Sequence, residues 1–316
     1  MPRFIARRLL LAVPITIGVS LIVFLTVKLM PGNPVAALLG PHATPGSRHA
    51  LYARYGLNRP LPVQYVVWLR HSIAGDLGDS ISRGTAVLPI ARSALSNTLI
   101  LALSASILSL VGGVILAVVA AFGPAPIARR LASFIGIFSV SIPQYSLGVV
   151  LIVAFSAHLH WFPAGGMRNV ITGGGLYSHL VLPSIAAAAI PMGIIARMFS
   201  AALLETQSED WVENLRARGL RRGRLIFHFV RGSAASLLTI AGLQIGYLLG
   251  GVIYVEVVFS WPGLGNLIYE SISKRDLPVI QGGVLLSALA FVLVNIVVDV
   301  ARAGLDPRLR KAATGE

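Results

Sequence analysis

The stretch SALSNTLILALSASILSLVGGVILAVVAAFGPAPIA, residues 93–128, contains no Lys, Arg, Asp or Glu. A helix needs about 20 consecutive apolar residues to cross the roughly 30 Å hydrocarbon core of a bilayer. Other charge-free runs occupy residues 9–27, 131–167, 169–196, 232–255 and 277–298. Together the runs predict six transmembrane helices, placed near residues 9–28, 97–121, 133–156, 180–200, 236–257 and 280–300.

The composition supports the same fold class. Hydrophobic residues make up 55% of the 316-residue chain and charged residues only 12%, whereas a soluble domain has about 25% charged residues. We therefore expect an all-α membrane protein. The sequence has no cysteine, which excludes a disulfide scaffold, a thiolate metal site and a cysteine nucleophile.

The positive charges are grouped in a way that predicts topology. A net charge of +14 in a soluble protein would suggest nucleic-acid binding. Here the cations cluster at the N-terminus and after the second, fourth and sixth runs, at residues 3–8, 129–130, 216–231 and 302–311. Six crossings put all four clusters on one side, which the positive-inside rule makes cytoplasmic. We expect cytoplasmic termini and no nucleic-acid partner.

The runs divide the chain into unequal parts. We expect a cytoplasmic N-terminus over residues 1–8 and a first helix over 9–28. This helix should be an uncleaved anchor, because its apolar run is longer than that of a secretory signal. A long, proline-rich external segment covers 29–95 and includes an amphipathic piece at 63–73. A five-helix core over 96–303 contains a cytoplasmic connection at 205–232, and a cytoplasmic tail covers 304–316.

The cytoplasmic connection contains the strongest local pattern, SEDWVENLRARG at residues 208–219. Ser208 is a candidate N-cap for a short helix. Acidic residues follow it and arginines end the segment, as the helix dipole favours. Gly219 can adopt the left-handed conformation that terminates a helix. We predict a self-contained helix of about ten residues.

Trp211 and Leu215 lie four residues apart on this helix and form a narrow apolar stripe. One interpretation buries the stripe against the membrane surface or the chain's own helix ends. The other inserts it into a groove on a partner protein, where an aromatic residue among charges is a natural anchor.

Several motifs together carry a family resemblance. They are the segment 212–219 with His228 nine residues later, PGNP at 31–34, RPLPVQY at 59–65, GDLG at 75–78, SIPQY at 141–145, GLQIGYLLGG at 242–251, FSWPGLG at 259–265 and DPR at 306–308. The chain resembles the dipeptide, oligopeptide and nickel permeases of ATP-binding-cassette (ABC) importers, in the branch of the first permease of a pair. Two positions depart from that pattern: the family often has Glu-Ala-Ala where residues 213–215 read ENL, and a proline near Ser236.

The resemblance implies a division of labour. It implies the six-helix type I permease fold, a second permease, two ATPase subunits that bind ATP and Mg²⁺, and an extracytoplasmic binding protein that delivers peptides. The short helix would receive force from the ATPases, through Trp211, Val212, Glu213, Leu215, Arg218 and Gly219. The sequence has no Gly-x-x-x-x-Gly-Lys-Ser/Thr phosphate loop, so we expect no ATP hydrolysis and no cofactor on this chain.

Polar residues inside the predicted spans are candidates for the transport pathway, because such residues usually face the bundle interior or water. They are Gln144, Tyr145, Gln244, Tyr247 and Glu256. Gln144 and Tyr145 follow Pro143, where we expect a kink. The alternative for the glutamines is hydrogen bonding between helices, and for Glu256 a place at the headgroup level.

Trp261 is a candidate for a loop that closes the external mouth, or for an interfacial aromatic belt. Arg197 and Asp299 are expected to be interfacial anchors or an ion pair. His158 and His160 do not have the i, i+4 spacing of a helical metal site, so no metal site is expected. The substrate stays open among peptides, nickel, glutathione and oligosaccharides. An ion-coupled transporter would need carboxylates deep in the membrane or unwound half-helices, and a membrane-embedded enzyme would need more titratable groups.

Overall fold

The computed structural model describes residues 2–29, 46, 59–167 and 175–305. Its α-helices, numbered here in chain order, are α1 (Pro2–Leu29), α2 (Leu61–Ile73), α3 (Val87–Phe122), α4 (Pro126–Ser141), α5 (Gln144–Leu151), α6 (Leu176–Gln207), α7 (Asp210–Ala217), α8 (Arg222–Gly232), α9 (Ala234–Val258), α10 (Leu264–Ser273) and α11 (Leu277–Leu305). The π-helix Ile152–His158 continues α5. Within these ranges the only β pairing is an isolated bridge between Asp79 and Ala86.

By length and apolarity, four of the described helices can each cross a bilayer: Val87–Phe122, Leu176–Gln207, Ala234–Val258 and Leu277–Arg302. The pair Pro126–Ser141 and Gln144–His158 makes a fifth candidate if the two helices count as one span. The apolar part of α1, Leu10–Thr26, is shorter than these. The all-helical fold class is thus confirmed for the described residues, with four to five candidate spans, while the count of six stays a prediction.

The span expected at 133–156 is not a straight helix. Its two halves are bent by 109° at Ile142 and Pro143. Ile142 has an extended backbone, with φ −90° and ψ 127°, because the ring of a following proline disfavours the helical conformation. The kink expected at Pro143 is confirmed, and it divides the predicted span into two helices.

Two compact units make up the chain. The first comprises residues 1–5, 98–261 and 294–316, and the second comprises 6–97 and 262–293. The core of the first unit is formed by the middle of α3, α5, α6, α9 and the residues just after α9. Gly193 of α6 lies against the backbone of Gly136 in α4, so close that a side chain at position 193 would meet the Gly136 carbonyl. Small residues permit such close helix contacts in membrane proteins.

The second unit contains α1, α2, the start of α3, α10 and the start of α11. Its core includes Leu77, Val87, Leu264 and Val279. The amphipathic piece predicted at 63–73 is confirmed as α2, and its Tyr65 hydroxyl lies 2.7 Å from Ser20 Oγ of α1. Residues 30–58 of the segment predicted to be external, including the PGNP motif, lie outside the described residues apart from residue 46, as do residues 168–174 and the DPR motif at 306–308.

Candidate functional site

The predicted short helix is present as α7, Asp210–Ala217. Its N-cap is Glu209, which makes no side-chain capping hydrogen bond. The prediction that Ser208 caps the helix is wrong, because the Ser208 hydroxyl donates to the Glu205 carbonyl at the end of α6, at 2.7 Å. Acidic residues nevertheless occupy the first turn of α7, where the helix dipole favours negative charge.

Gly219 terminates α7 as predicted. Its φ of +74° is in the left-handed region, which a glycine enters without the penalty that a Cβ brings. The Gly219 amide donates to Arg216 at 2.9 Å and the Leu220 amide donates to Leu215 at 3.4 Å. This pair of bonds is a Schellman motif, which satisfies the last carbonyl groups of the helix.

One side of α7 faces the chain itself. Val212 is 1% exposed and belongs to a cluster with Phe199, Leu203 and Phe229. Trp211 is partly buried on this cluster, its ring 6.4 Å from that of Phe229. Leu215 is also only partly exposed. The apolar stripe is therefore largely used to attach α7 to α6 and α8.

The other side of α7 is open. Glu213, Asn214, Arg216 and Arg218 are exposed, as is Gly219. A side chain built on Gly219 would meet nothing within 4 Å. Of the residues predicted to receive force from the ATPases, Glu213, Arg218 and Gly219 are thus the accessible ones. Trp211 and Val212 form the inner support, and Leu215 is partly exposed.

The helix α8 follows α7 and is attached to three other helices. Phe229 of α8 is buried, with its ring 5.3 Å from Phe122 at the end of α3. The Arg222 guanidinium donates to the Phe122 carbonyl at 2.7 Å. Just beyond α8, Ser233 Oγ lies 2.7 Å from Thr206 Oγ1 of α6 in a buried hydrogen bond. Sequence reasoning missed these contacts, because no local pattern relates residues about 30 or 100 positions apart.

The predicted pathway residues Gln144 and Tyr247 come together at Gly251. A side chain on Gly251 would lie 3.5 Å from Gln144 Oε1 and 3.6 Å from the ring of Tyr247. Gln144 is buried, and its amide donates to the Ala187 carbonyl of α6 at 3.2 Å. Gln144 thus makes the hydrogen bond between helices that was the alternative to a pathway role.

The other polar candidates differ in exposure. Tyr145 is 55% exposed and Tyr247 is 46% exposed. Gln244 is partly buried, and its Oε1 has no hydrogen-bond partner within the described part of the chain. Gln244, Tyr247 and Gly251 lie on one face of α9, because they are three and seven residues apart on a helix.

Glu256 and Trp261 lie at the end of α9 and are both fully buried. The Thr98 hydroxyl of α3 donates to Glu256 Oε1 at 2.6 Å, and the Trp261 amide donates to the Glu256 carbonyl at 2.8 Å. Glu256 is thus enclosed by protein, and its level relative to the headgroups stays a prediction. Trp261 packs in the core of the first unit and not at an exposed interface.

Two glycines of α9 lie in close contact with α11. Side chains at Gly242 would meet Val298 and Arg302, and at Gly246 they would meet Asn295, so both glycines lie directly on α11. Gly250 faces open space. Asp299 lies 3.8 Å from the Arg302 guanidinium one turn along α11.

In the second unit, a carboxylate that sequence reasoning did not single out holds a turn. Asp276, just before α11, is fully buried. It accepts hydrogen bonds from the hydroxyls of Ser80 and Ser82 at 2.5 and 2.7 Å and from the amides of Ile81 and Ser82 at 3.1 and 3.0 Å. Burial raises the pKa of Asp276, but the four hydrogen bonds together outweigh it and hold this pKa below its ordinary value.

Groups that bind metals are not gathered in the described residues. Nowhere in 2–29, 59–167 and 175–305 do three His, Asp or Glu side chains lie together in a position to hold a metal ion. The two histidines considered above point to backbone carbonyls: His158 Nδ1 lies 2.8 Å from Val153 O and His160 Nδ1 lies 3.2 Å from His158 O.

Two protein-family models match this chain. Residues 113–311 match the family model described as binding-protein-dependent transport system inner membrane component. Residues 1–101 match the model for the N-terminal part of such membrane components. The two matches cover both units of the chain.

Several curated relatives are similar along almost their whole length. The dipeptide transport system permease protein DppB of Alkalihalophilus pseudofirmus is 37% identical over 326 residues, which covers 96% of this chain and 98% of the relative. The oligopeptide transport system permease protein AppB of Bacillus subtilis is 34% identical, covering 98% and 99%. The glutathione transport system permease protein GsiC of Escherichia coli is also 34% identical, covering 98% and 99%.

Proposed function

We propose that this chain, which belongs to the family of binding-protein-dependent transport system inner membrane components, is one of two permease subunits in an ATP-driven importer of di- and oligopeptides. It is a multi-pass protein of the inner membrane. The observation that carries the peptide assignment is end-to-end similarity to permeases named for dipeptide and oligopeptide transport. Similarity at the same level to a glutathione permease supports glutathione, itself a peptide, as the second candidate.

The proposed topology has six spans and cytoplasmic termini. α1 would be the first span, α3 the second, the bent pair α4–α5 with its π-helix the third, and α6, α9 and α11 the last three. Residues 29–95 would then be external, and the connection 205–232, with α7 and α8, would be cytoplasmic. The four arginine clusters support this orientation.

The exposed side of α7 is the proposed contact with the ATPases. Glu213, Arg218 and Gly219 are accessible there, and the inner residues Trp211 and Val212 keep the helix attached to α6 and α8. A rigid helix with one exposed charged side and one buried apolar side is suited to transmit a displacement into the membrane-spanning helices.

The proposed pathway follows the face of α9 that contains Gln244 and Tyr247, together with Gln144 and Tyr145 of α5. The exposed hydroxyl-bearing ring of Tyr247 suits a peptide backbone, which has both donors and acceptors, whereas the Oε1 of Gln244, unpaired within the described residues, is buried. Glu256 and Trp261 are buried. We therefore assign them to an external gate at the end of α9 and not to substrate binding in this conformation.

Energy is proposed to come from partner subunits. ATP and Mg²⁺ would bind to two ATPase subunits, a second homologous permease would complete the pathway, and an extracytoplasmic binding protein would select the substrate. This chain would have no ATPase site and no cofactor of its own. An ion-coupled transporter working alone is the remote alternative, and purification separates the two, since an importer permease copurifies with a second permease and ATPases.

The decisive test is transport by the assembled complex in proteoliposomes. The chain, its partner subunits and the binding protein encoded beside it are reconstituted, and uptake of labelled dipeptides, oligopeptides and glutathione is measured with ATP inside or outside. We expect uptake of peptides only where ATP reaches the ATPases. Uptake of glutathione alone would select the second candidate, and uptake driven by an ion gradient without ATP would refute the importer.

A further inference from the structure

The cytoplasmic end of α3 is held by two arginines. The last carbonyl groups of a helix have no partners within the helix. Here the Phe122 carbonyl accepts from Arg222 of α8 at 2.7 Å, and the Gly123 carbonyl accepts from Arg129 of α4 at 3.0 Å. Both guanidinium groups lie where the helix dipole is negative. α3 therefore ends in charge-assisted hydrogen bonds to two other helices.

The helix α8 makes a second contact with the end of α3, and this contact also involves Phe122. Phe229 comes seven residues after Arg222 on the same face of α8, and its ring lies 5.3 Å from that of Phe122. Arg222 thus binds the carbonyl of Phe122, while the ring of Phe229 packs on the ring of Phe122. Sliding or lifting α8 from the end of α3 would break both contacts.

The same phenylalanine connects α8 to α7. The ring of Trp211 lies 6.4 Å from Phe229, and Val212 is buried in the cluster that contains Phe229. Any displacement of α7 is therefore passed by direct contact to Phe229, and from there to Phe122. The described contacts form a continuous path from the exposed helix to a candidate span.

We propose that Arg222 is a positioning residue that fastens α8 to α3, so that α3 moves with α7 during the transport cycle. The inference rests on the proposed function, because it requires ATPases that act on α7. α3 would in this way be driven from its cytoplasmic end, in addition to α6, which α7 directly follows.

The absence of cysteine in the chain allows a direct measurement of this movement. One cysteine is introduced at a time, Ala217→Cys at the exposed last residue of α7 or Ala120→Cys near the end of α3, and labelled with a nitroxide. The label's spectrum is recorded in the reconstituted complex with and without ATP. Each label is measured with Arg222 intact, in Arg222→Met, which keeps the unbranched stem but removes the donors, and in Arg222→Lys.

The matched control is Arg224→Met, because Arg224 is exposed two residues further along α8 and loses the same charge. With Arg222 intact and in Arg224→Met, both labels should respond to ATP. In Arg222→Met the α7 label should still respond, while the α3 response and the peptides transported per ATP should fall about tenfold, the scale expected for a charge-assisted hydrogen bond. Arg222→Lys should restore part of the α3 response.

An unchanged α3 response in Arg222→Met would overturn the proposal. If that variant fails to assemble, Arg222→Gln, which removes the charge and shortens the donor-bearing stem, gives the same comparison, and a full α3 response there would overturn it. If neither label responds to ATP with Arg222 intact, the proposed function has failed and not the role of Arg222.

Discussion

Asp276 accepts a hydrogen bond of 2.5 Å from Ser80, although 196 residues separate the two along the chain. The contact joins the turn after α2 to the start of α11 within the second unit. Ser82 provides two further donors and Ile81 one. Through these bonds the buried carboxylate holds the loop between Asp79 and Ala86, the two bridge partners, against the start of α11.

Asp276→Asn should destabilise this unit by about 3 kcal/mol, because the charge is lost and the new NH2 group must face the backbone N–H of either Ile81 or Ser82. Thermal unfolding of the purified chain in detergent measures the loss. Asp79→Asn is the control, because Asp79 is exposed in the same loop. An equal effect of both substitutions would contradict the assigned role of Asp276.

The lowered pKa of Asp276 predicts a pH dependence with a definite sign. A carboxyl group whose pKa is lower in the folded state contributes stability above its unfolded pKa of about 3.9. That contribution is lost as the pH falls through the folded pKa. Between pH 7 and pH 3 the melting temperature should fall more steeply with decreasing pH in the unmodified chain than in Asp276→Asn. An equal pH dependence of the two melting temperatures would refute the prediction.

Gly219→Ala should strain the end of α7 by roughly 1 kcal/mol, because the strain comes from the positive φ and not from a clash, as the space around Gly219 is open. We expect weaker binding of the ATPase subunits in a pull-down titration and a lower substrate-stimulated ATPase rate. Gly223→Ala is the matched control, since Gly223 also faces open space but lies inside α8, where alanine is favourable.

Gly242→Ala should weaken the packing of α9 on α11 by about 1–3 kcal/mol, the usual penalty for overpacking. The new methyl group would lie 2.8 Å from Val298 Cγ1 and 2.9 Å from Arg302 Cδ. Gly250→Ala on the same helix should be neutral or stabilising, because nothing lies within 4 Å. Thermal stability in detergent separates the two, and indistinguishable melting temperatures would refute the assigned contact.

The purified chain alone should hydrolyse no ATP above background at any protein concentration tested, because the sequence lacks a phosphate-binding loop. Phosphate release is the measurement. Turnover should appear only when the ATPase subunits are added. An ATP hydrolysis rate that rises with the concentration of this chain alone would contradict the division of labour proposed above.

Some features follow from local sequence alone. The apolar runs specify α3, α6, α9 and α11, because the number of consecutive apolar residues sets whether a helix can span a bilayer. Pro143 forces an extended residue before it, and Gly219 permits a left-handed end to α7. Each of these constraints acts within a few residues, so it can be recognised without any knowledge of the fold. The motifs distributed along the chain likewise identified its family.

What tertiary structure alone decided is which side chains meet. Ser208 has the chemistry of an N-cap, yet its hydroxyl bonds backwards to Glu205. Gln144 donates to Ala187 and Arg222 to Phe122 because helices distant in sequence pack together. Hydrogen bonds and ring contacts depend on positions to within a fraction of an ångström, and those positions are set by the packing of whole helices, which no short stretch of sequence encodes.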